Sequence, residues 1–197
     1  LKVPNILTLS RLLLAPAFLA AYLAGVPLAG APGEGSSAAR WWALVLALFF
    51  EATDLADGFV ARRMQQTSQL GKILDPLADS VSRFTIFLGF LVTGYASVWA
   101  VACIFWRDSI VSTVRILAAS QGVIVSARGS GKVKAIVQGI AINVILGAMC
   151  LHEHLGWTLA DVAKHSNTAM MVVAAVTLFS LVDYLVGNRK VLAALDA

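Results

Sequence analysis

The chain alternates apolar stretches of membrane-crossing length with short polar segments, and this alternation leaves few folds open. Hydrocarbon offers no partner to backbone N–H and C=O groups, so a segment that crosses a bilayer is either a helix or a strand of a closed barrel. Runs of about 20 apolar residues are the length a helix needs to cross. The stretches are Leu12 to Leu28, Trp41 to about Val60, about Asp75 to Val92, Val98 to Ala119, Val133 to Leu151 and Asn167 to Val186. Between them lie Gly/Pro/Ser-rich or charged segments such as 30–37 (GAPGEGSS), a turn at Thr93-Gly94-Tyr95, and polar loops at 121–131 and 152–164. Residues are 59% hydrophobic and only 13% charged, with a mean hydropathy of +0.81, too apolar for an ordinary soluble domain. The expected fold is an all-α integral membrane protein of six transmembrane helices, a single domain over residues 1–197. Nothing in it suggests a nucleic-acid partner.

The segment from Lys2 to Ser10 is short, mildly basic and amphipathic, and reads as a helix lying on the membrane surface before the first span. A cleaved leader fits less well, because the apolar run after Arg11 is long and further spans follow. Trp41 and Trp42 read as interfacial anchors, and Trp99, Trp106 and Trp157 as interface or packing residues. With the N-terminus inside, the cytoplasmic segments hold Lys2, Arg11, Arg62, Arg63, Lys72, Arg128, Lys132, Lys134, Arg189 and Lys190. The opposite loops hold Arg40 and Lys164. This positive-inside bias puts the junction of the second and third spans on the cytoplasmic side. Cys103 and Cys150 both lie in apolar runs and read as small buried hydrophobes.

Against this background the aspartates between positions 54 and 79 stand out, because ionised groups inside apolar segments cost several kcal/mol and are kept for a purpose. On a helix turning about 100° per residue, Asp54, Asp57, Gly58 and Ala61 share one face, and Asp75 and Asp79 share another. Two such pairs meeting across a short connection form a nest of hard oxygen donors suited to one or two Mg²⁺ or Mn²⁺ ions. Gly58 and Ala61 leave that acidic face without bulk. Asp75-Pro76 reads either as a helix start or as a kink in a helix already begun.

The run Asp54-x2-Asp57-Gly58-x2-Ala61-Arg62-x8-Gly71-x3-Asp75-x3-Asp79 resembles the signature of the CDP-alcohol phosphotransferase family at every fixed position and in both gaps. The opening Pro4-Asn5-x-Leu7-Thr8-x2-Arg11 is similar to the start of its phosphatidylglycerophosphate synthase branch. So are Arg107-Asp108-x2-Val111-Ser112-x2-Arg115 and Gly131-Lys132-Val133-Lys134-x3-Gln138. One departure is Ser80, where that branch usually has lysine after the last aspartate.

The resemblance implies attack of an alcohol on the β-phosphorus of a CDP-linked lipid, with release of CMP. It implies two divalent ions on Asp54, Asp57, Asp75 and Asp79, with Asp79 as general base and Gly58, Ala61, Arg62 and Gly71 lining the CDP side. The implied donor is CDP-diacylglycerol, the acceptor glycerol 3-phosphate, and the setting a homodimer among the lipids of a bacterial inner membrane with its site facing the cytoplasm. Arg107, Arg115, Lys132 and Lys134 are the candidate groups for the acceptor phosphate, since guanidinium forks and ammonium groups bind phosphomonoesters. Inositol phosphate and serine are rival acceptors, and the basic residues favour a phosphorylated one.

Arg83, one turn beyond Asp79, has internal ion pairing as its alternative role, with Asp108 as a partner for Arg83 or Arg107. Asp183 is left without an assignment. His152-Glu153-His154 reads as part of a solvated outer loop. A divalent-cation transporter would spread its acids through the membrane depth, whereas these cluster at one face. A purely structural module would pair every carboxylate with an arginine and bind no Mn²⁺.

Overall fold

The computed structural model describes residues 3–33, 35–64, 69–121, 128–189 and 192, and leaves out the side chains of 3–7, 55, 57–64 and 69–76. Among the described residues six helices follow one another: α1 (Val3–Gly25), α2 (Ser37–Met64), α3 (Gln69–Val92), α4 (Val98–Ser120), α5 (Gly129–Leu151) and α6 (Leu159–Gly187). No strand occurs among the described residues. The regular structure of the described residues is all helical, and the protein is a membrane protein.

Among the described residues three helices can cross a membrane by length and composition, over Thr8–Gly25, Gly129–Leu151 and Leu159–Gly187. The six spans expected from the sequence are therefore met in half the helices. Helices α2, α3 and α4 have 28, 24 and 23 residues, long enough to cross, but they carry the charges of the candidate site.

Side-chain contacts fix the register. Arg11 meets Asp54 near one end of α1 and α2, and Arg40 donates to the Gly25 carbonyl at the other, so these helices run antiparallel. The crossing is close: a Cβ on Gly25 would sit 2.7 Å from the Arg40 backbone nitrogen. α2 and α5 are also antiparallel, with Glu51 against Gly139 and Arg40 against His152. α4 and α6 run parallel, through Ser97 to Met171 and Arg107 to Ser180. The core lies between, with Phe18, Tyr22, Phe50, Phe90 and Met149 among its buried residues. Tyr22 is 1% exposed and shares a 2.7 Å hydrogen bond with Thr93, so its polar tip is satisfied inside that core.

Helix ends follow local chemistry. Ser97 caps α4 by accepting from the Ala100 N–H, and Thr158 with Asp161 forms a reciprocal capping box on α6. Gly94, at φ +84°, makes the expected turn after α3. Tyr95 beside it donates to the Leu159 carbonyl, and burial pushes its phenol up to about 12, so it remains a donor at neutral pH.

Two expectations are corrected, and one open alternative is decided. The surface helix before the first span is not a separate element: α1 is continuous from Val3, and Thr8 and Arg11 are buried in the bundle because Arg11 finds Asp54 there. Of the two readings of Asp75-Pro76, a helix already begun is the one found, since α3 begins at Gln69. His152 is not solvated; it is 5% exposed, with its ring nitrogens on the Trp157 carbonyl and Arg40.

Candidate active site

The facing ends of α2 and α3 carry the aspartate motif. Helical backbone runs through 54–64 and 69–79, so the spacing that puts Asp54, Asp57, Gly58 and Ala61 on one face applies to α2 as built. The side chains of Asp57, Gly58, Ala61, Arg62, Gly71 and Asp75 lie outside the described residues. Those of Asp54 and Asp79 are described, and they line one pocket although they come from different helices. Glu51, Arg11, Arg83 and Ser82 complete its polar wall, and Phe50 and Ile86 its apolar part.

Each aspartate is held by one oxygen. Arg11 Nη1 lies 3.0 Å from Asp54 Oδ1, and Arg83 Nε lies 2.9 Å from Asp79 Oδ1. The two carboxylate side chains remain 43% and 41% exposed, whereas the arginines are 2% and 11% exposed. Cations buried behind half-open carboxylates fix the acids without covering them. This donor set fits a hard divalent cation: two carboxylates from two helices, each with one oxygen outside its arginine bond. Among the described residues no group of three or more metal-ligating side chains forms; the side chains of Asp57 and Asp75 are not among them.

Behind the aspartates a second tier of polar contacts extends into α5 and α6. Arg83 Nη2 reaches Glu51 Oε2 at 4.0 Å, and its Nη1 donates to the Ala135 carbonyl and to Gln138 Oε1 at 3.4 and 3.5 Å. Gln138, fully buried, donates to Thr177 of α6. Ser82 is 3% exposed, and among the described residues its hydroxyl makes no hydrogen bond.

The four basic candidates divide. Lys134 Nζ donates to both oxygens of Asp108 at 2.7 and 2.8 Å, and Arg107 Nη1 to Oδ1 at 2.9 Å. Arg107 also donates to Ser180. Arg107 and Lys134 thus meet on Asp108. Arg115 instead places its guanidinium 5.8 Å from the centroid of the Tyr184 ring, and Lys132 is exposed. Arg83 pairs with Asp79 and Glu51, and Asp108 takes Arg107 and Lys134 as its partners. Asp183 pairs with Arg128 and accepts from Ser130.

Sequence reading missed Arg11, Glu51 and Gln138 as parts of the site. Arg11 and Gln138 stand in the stretches similar to the synthase branch, which was the available signal. Glu51, one turn before Asp54 on the same face, was marked only by its helical spacing.

A family model described as CDP-alcohol phosphatidyltransferase matches residues 1–182. The chain belongs to this family. It is an enzyme of the family's phosphatidyltransferase type, placed in phospholipid biosynthesis. A Bacillus subtilis protein named CDP-diacylglycerol–glycerol-3-phosphate 3-phosphatidyltransferase is 29% identical over 181 residues, covering 91% of this chain and 94% of that protein. A Salmonella paratyphi A protein of the same name is 33% identical over 197 residues, covering 95% of each. A Mycobacterium bovis protein provisionally named a cardiolipin synthase is 33% identical over 122 residues, covering 62% of this chain and 53% of that one.

Proposed function

We propose that the protein transfers the phosphatidyl group of CDP-diacylglycerol to glycerol 3-phosphate and releases CMP. It would do so as one domain of six membrane-crossing helices, with its site at the cytoplasmic face of a bacterial inner membrane. A homodimer is the proposed assembly. The observation that carries the reading is the pairing of Asp54 and Asp79, from separate helices, in one arginine-backed pocket. The names of full-length relatives support the two substrates.

In this reading Asp54, Asp57, Asp75 and Asp79 would hold two Mg²⁺ or Mn²⁺ ions. Such ions, when bound, neutralise the pyrophosphate and the charge that gathers on the departing oxygen. Gly58, Ala61, Arg62 and Gly71 would line the CDP side. Arg107 and Lys134 would take the acceptor phosphate, with Lys132 and Arg115 toward the end of the bundle. Asp79 receives the proton of the attacking hydroxyl as its oxygen bonds the phosphorus bearing the diacylglycerol. The bond from that phosphorus to CMP breaks, and CMP leaves with the electron pair. Arg83, on Asp79 Oδ1, keeps the other oxygen in place for this transfer.

CMP release from CDP-diacylglycerol, with glycerol 3-phosphate, inositol 1-phosphate, inositol, serine or phosphatidylglycerol each offered alone, tests the reading. Release with glycerol 3-phosphate alone is expected, and release only with another alcohol would overturn the acceptor. Asp79→Asn is expected to abolish release in folded protein. Full activity in that variant would remove Asp79 as base.

A further inference from the structure

Glu51 has no part in the reaction as described so far, yet it occupies an unusual seat. It lies one turn before Asp54 on α2, lines the same pocket, and its side chain is 29% exposed in a mostly apolar helix. Its carboxylate rests on the backbone of α5 at Gly139. A Cβ there would come within 3.1 and 3.2 Å of its two oxygens, so a glycine makes room for this acid. From that seat Glu51 meets the far side of Arg83, whose Nε holds Asp79. A guanidinium presents several donors in one rigid plane, so fixing one edge fixes the direction of the other. Nη1 donates to the Ala135 carbonyl and Gln138, Nη2 lies 4.0 Å from Glu51 Oε2 as an ion pair, and Asp79 takes the Nε edge.

We infer that Glu51 and Arg83 are a positioning pair for Asp79, seated against α5 by the absence of a side chain at Gly139. This rests on the reading of Asp79 as the base. Neither residue needs to touch substrate; together they set where the Asp79 carboxylate stands. Misplacing a reacting group by about 1 Å can cost on the order of a hundredfold in rate. Loss of the pair should therefore appear in kcat, with KM held, because substrate binding is not what it supports.

The test is steady-state CMP release in detergent micelles by Glu51→Gln, Arg83→Gln, Arg83→Lys and the Glu51→Gln/Arg83→Gln double variant, with thermal unfolding measured alongside. Glu51→Gln is expected to lower kcat about tenfold and leave both KM values within about twofold. The double variant should be no slower than Arg83→Gln alone, since Glu51 acts through the arginine. Arg83→Lys should recover part of the loss by keeping the charge. A second route leaves both charged groups in place. Gly139→Ala should push the Glu51 carboxylate aside and lower kcat about threefold, whereas Gly147→Ala, with open space around its Cβ, should change nothing. Full kcat in Glu51→Gln or Gly139→Ala, multiplying effects in the double variant, or a loss confined to KM would overturn the pair. Asp79→Asn separates the two readings. If it is inactive while Glu51→Gln is fully active, only the pair fails; if it is active, the base assignment itself is lost.

Discussion

Asp108 holds two cations that the proposed function needs elsewhere, and replacing it by asparagine exposes the conflict. In the structure its carboxylate takes Lys134 at 2.7 and 2.8 Å and Arg107 at 2.9 Å. Arg107 and Lys134 are 8% and 6% exposed, so Asp108→Asn leaves two nearly buried cations uncompensated. Removing one partner of a fully buried pair costs about 3–5 kcal/mol. Asp108 is itself 28% exposed and asparagine still accepts a hydrogen bond, so about 2 kcal/mol is the expected loss here. For a chain of this size that corresponds to a fall in Tm of about 4–8 °C. If the same cations take the acceptor phosphate, Asp108 competes with that phosphate for them. Glycerol 3-phosphate should then bind the variant more tightly, and at about 100 times Kd a ligand adds about 2.7 kcal/mol. Thermal unfolding in detergent, with and without glycerol 3-phosphate, reads both effects. The variant should melt lower alone and regain more than the parent with ligand, and its KM for the acceptor should fall. An unchanged Tm would refute the compensation. A lower Tm with an unchanged or raised KM would refute the competition and leave the three residues as a structural triad.

Gly89→Ala places a Cβ 2.9 and 3.0 Å from the Tyr22 ring, which is buried and stacked on Phe18, so it should destabilise by about 1–3 kcal/mol, read as a lower Tm. Arg11→Gln frees Asp54 from its charged partner at 3.0 Å and should lower CMP release about tenfold through loss of orientation; unchanged release would make that contact incidental to the chemistry. Chelation of divalent ions should abolish release, with recovery on adding Mg²⁺ or Mn²⁺, because the proposed donor set is all oxygen; activity in excess chelator would exclude the proposed metals.

The helices were legible because a bilayer allows so little else. The fourth apolar stretch, Val98 to Ala119, reappears as α4, Val98–Ser120, within one residue. That Asp54 and Asp79 face one pocket was legible because it depends on spacing along two helices, which sequence records directly. Contacts between distant elements were not. Arg11 and Asp54 are 43 residues apart, Arg40 and His152 112 apart, and neither pairing follows from periodicity. His152 was assigned to a solvated loop because its neighbours Glu153 and His154 are polar and exposed; only the approach of α2 buries it. Asp108 illustrates the limit well. Its need for a cation was evident, and Arg107 was foreseen as one partner, but Lys134 lies 26 residues on, on the next helix. Arg115 was a candidate for the acceptor phosphate in sequence, yet its guanidinium stands over Tyr184 on α6, where an aromatic ring offers a cation another favourable seat.

The helices that fall short of membrane-crossing composition, α2, α3 and α4, are the ones that carry Glu51, Asp54, Asp79, Arg83, Arg107 and Asp108. This is a consequence of the site, and the outer surfaces of α2 and α4 are nonetheless apolar. On α2, Trp41, Trp42, Val45, Leu48 and Phe49 are exposed, and on α4, Val98, Trp99, Phe105, Trp106, Ile110, Ile116 and Leu117. Such continuous apolar faces are far beyond what a water-exposed monomer tolerates. Meanwhile Arg83 and Arg107 are nearly buried, each within reach of a carboxylate. A helix with charge inside and apolar groups outside suits hydrocarbon, although its average hydropathy is modest. Mean hydropathy along the chain cannot distinguish an inward charge from an outward one, whereas the packing does. Cysteines placed singly in the α3–α4 turn and beside the aspartate site, probed with a membrane-impermeant thiol reagent in intact cells, distinguish the cases. Labelling on the turn alone would agree with six crossings and an inward-facing site. Labelling of both positions would put the turn and the site on one side, and α3 would then not cross.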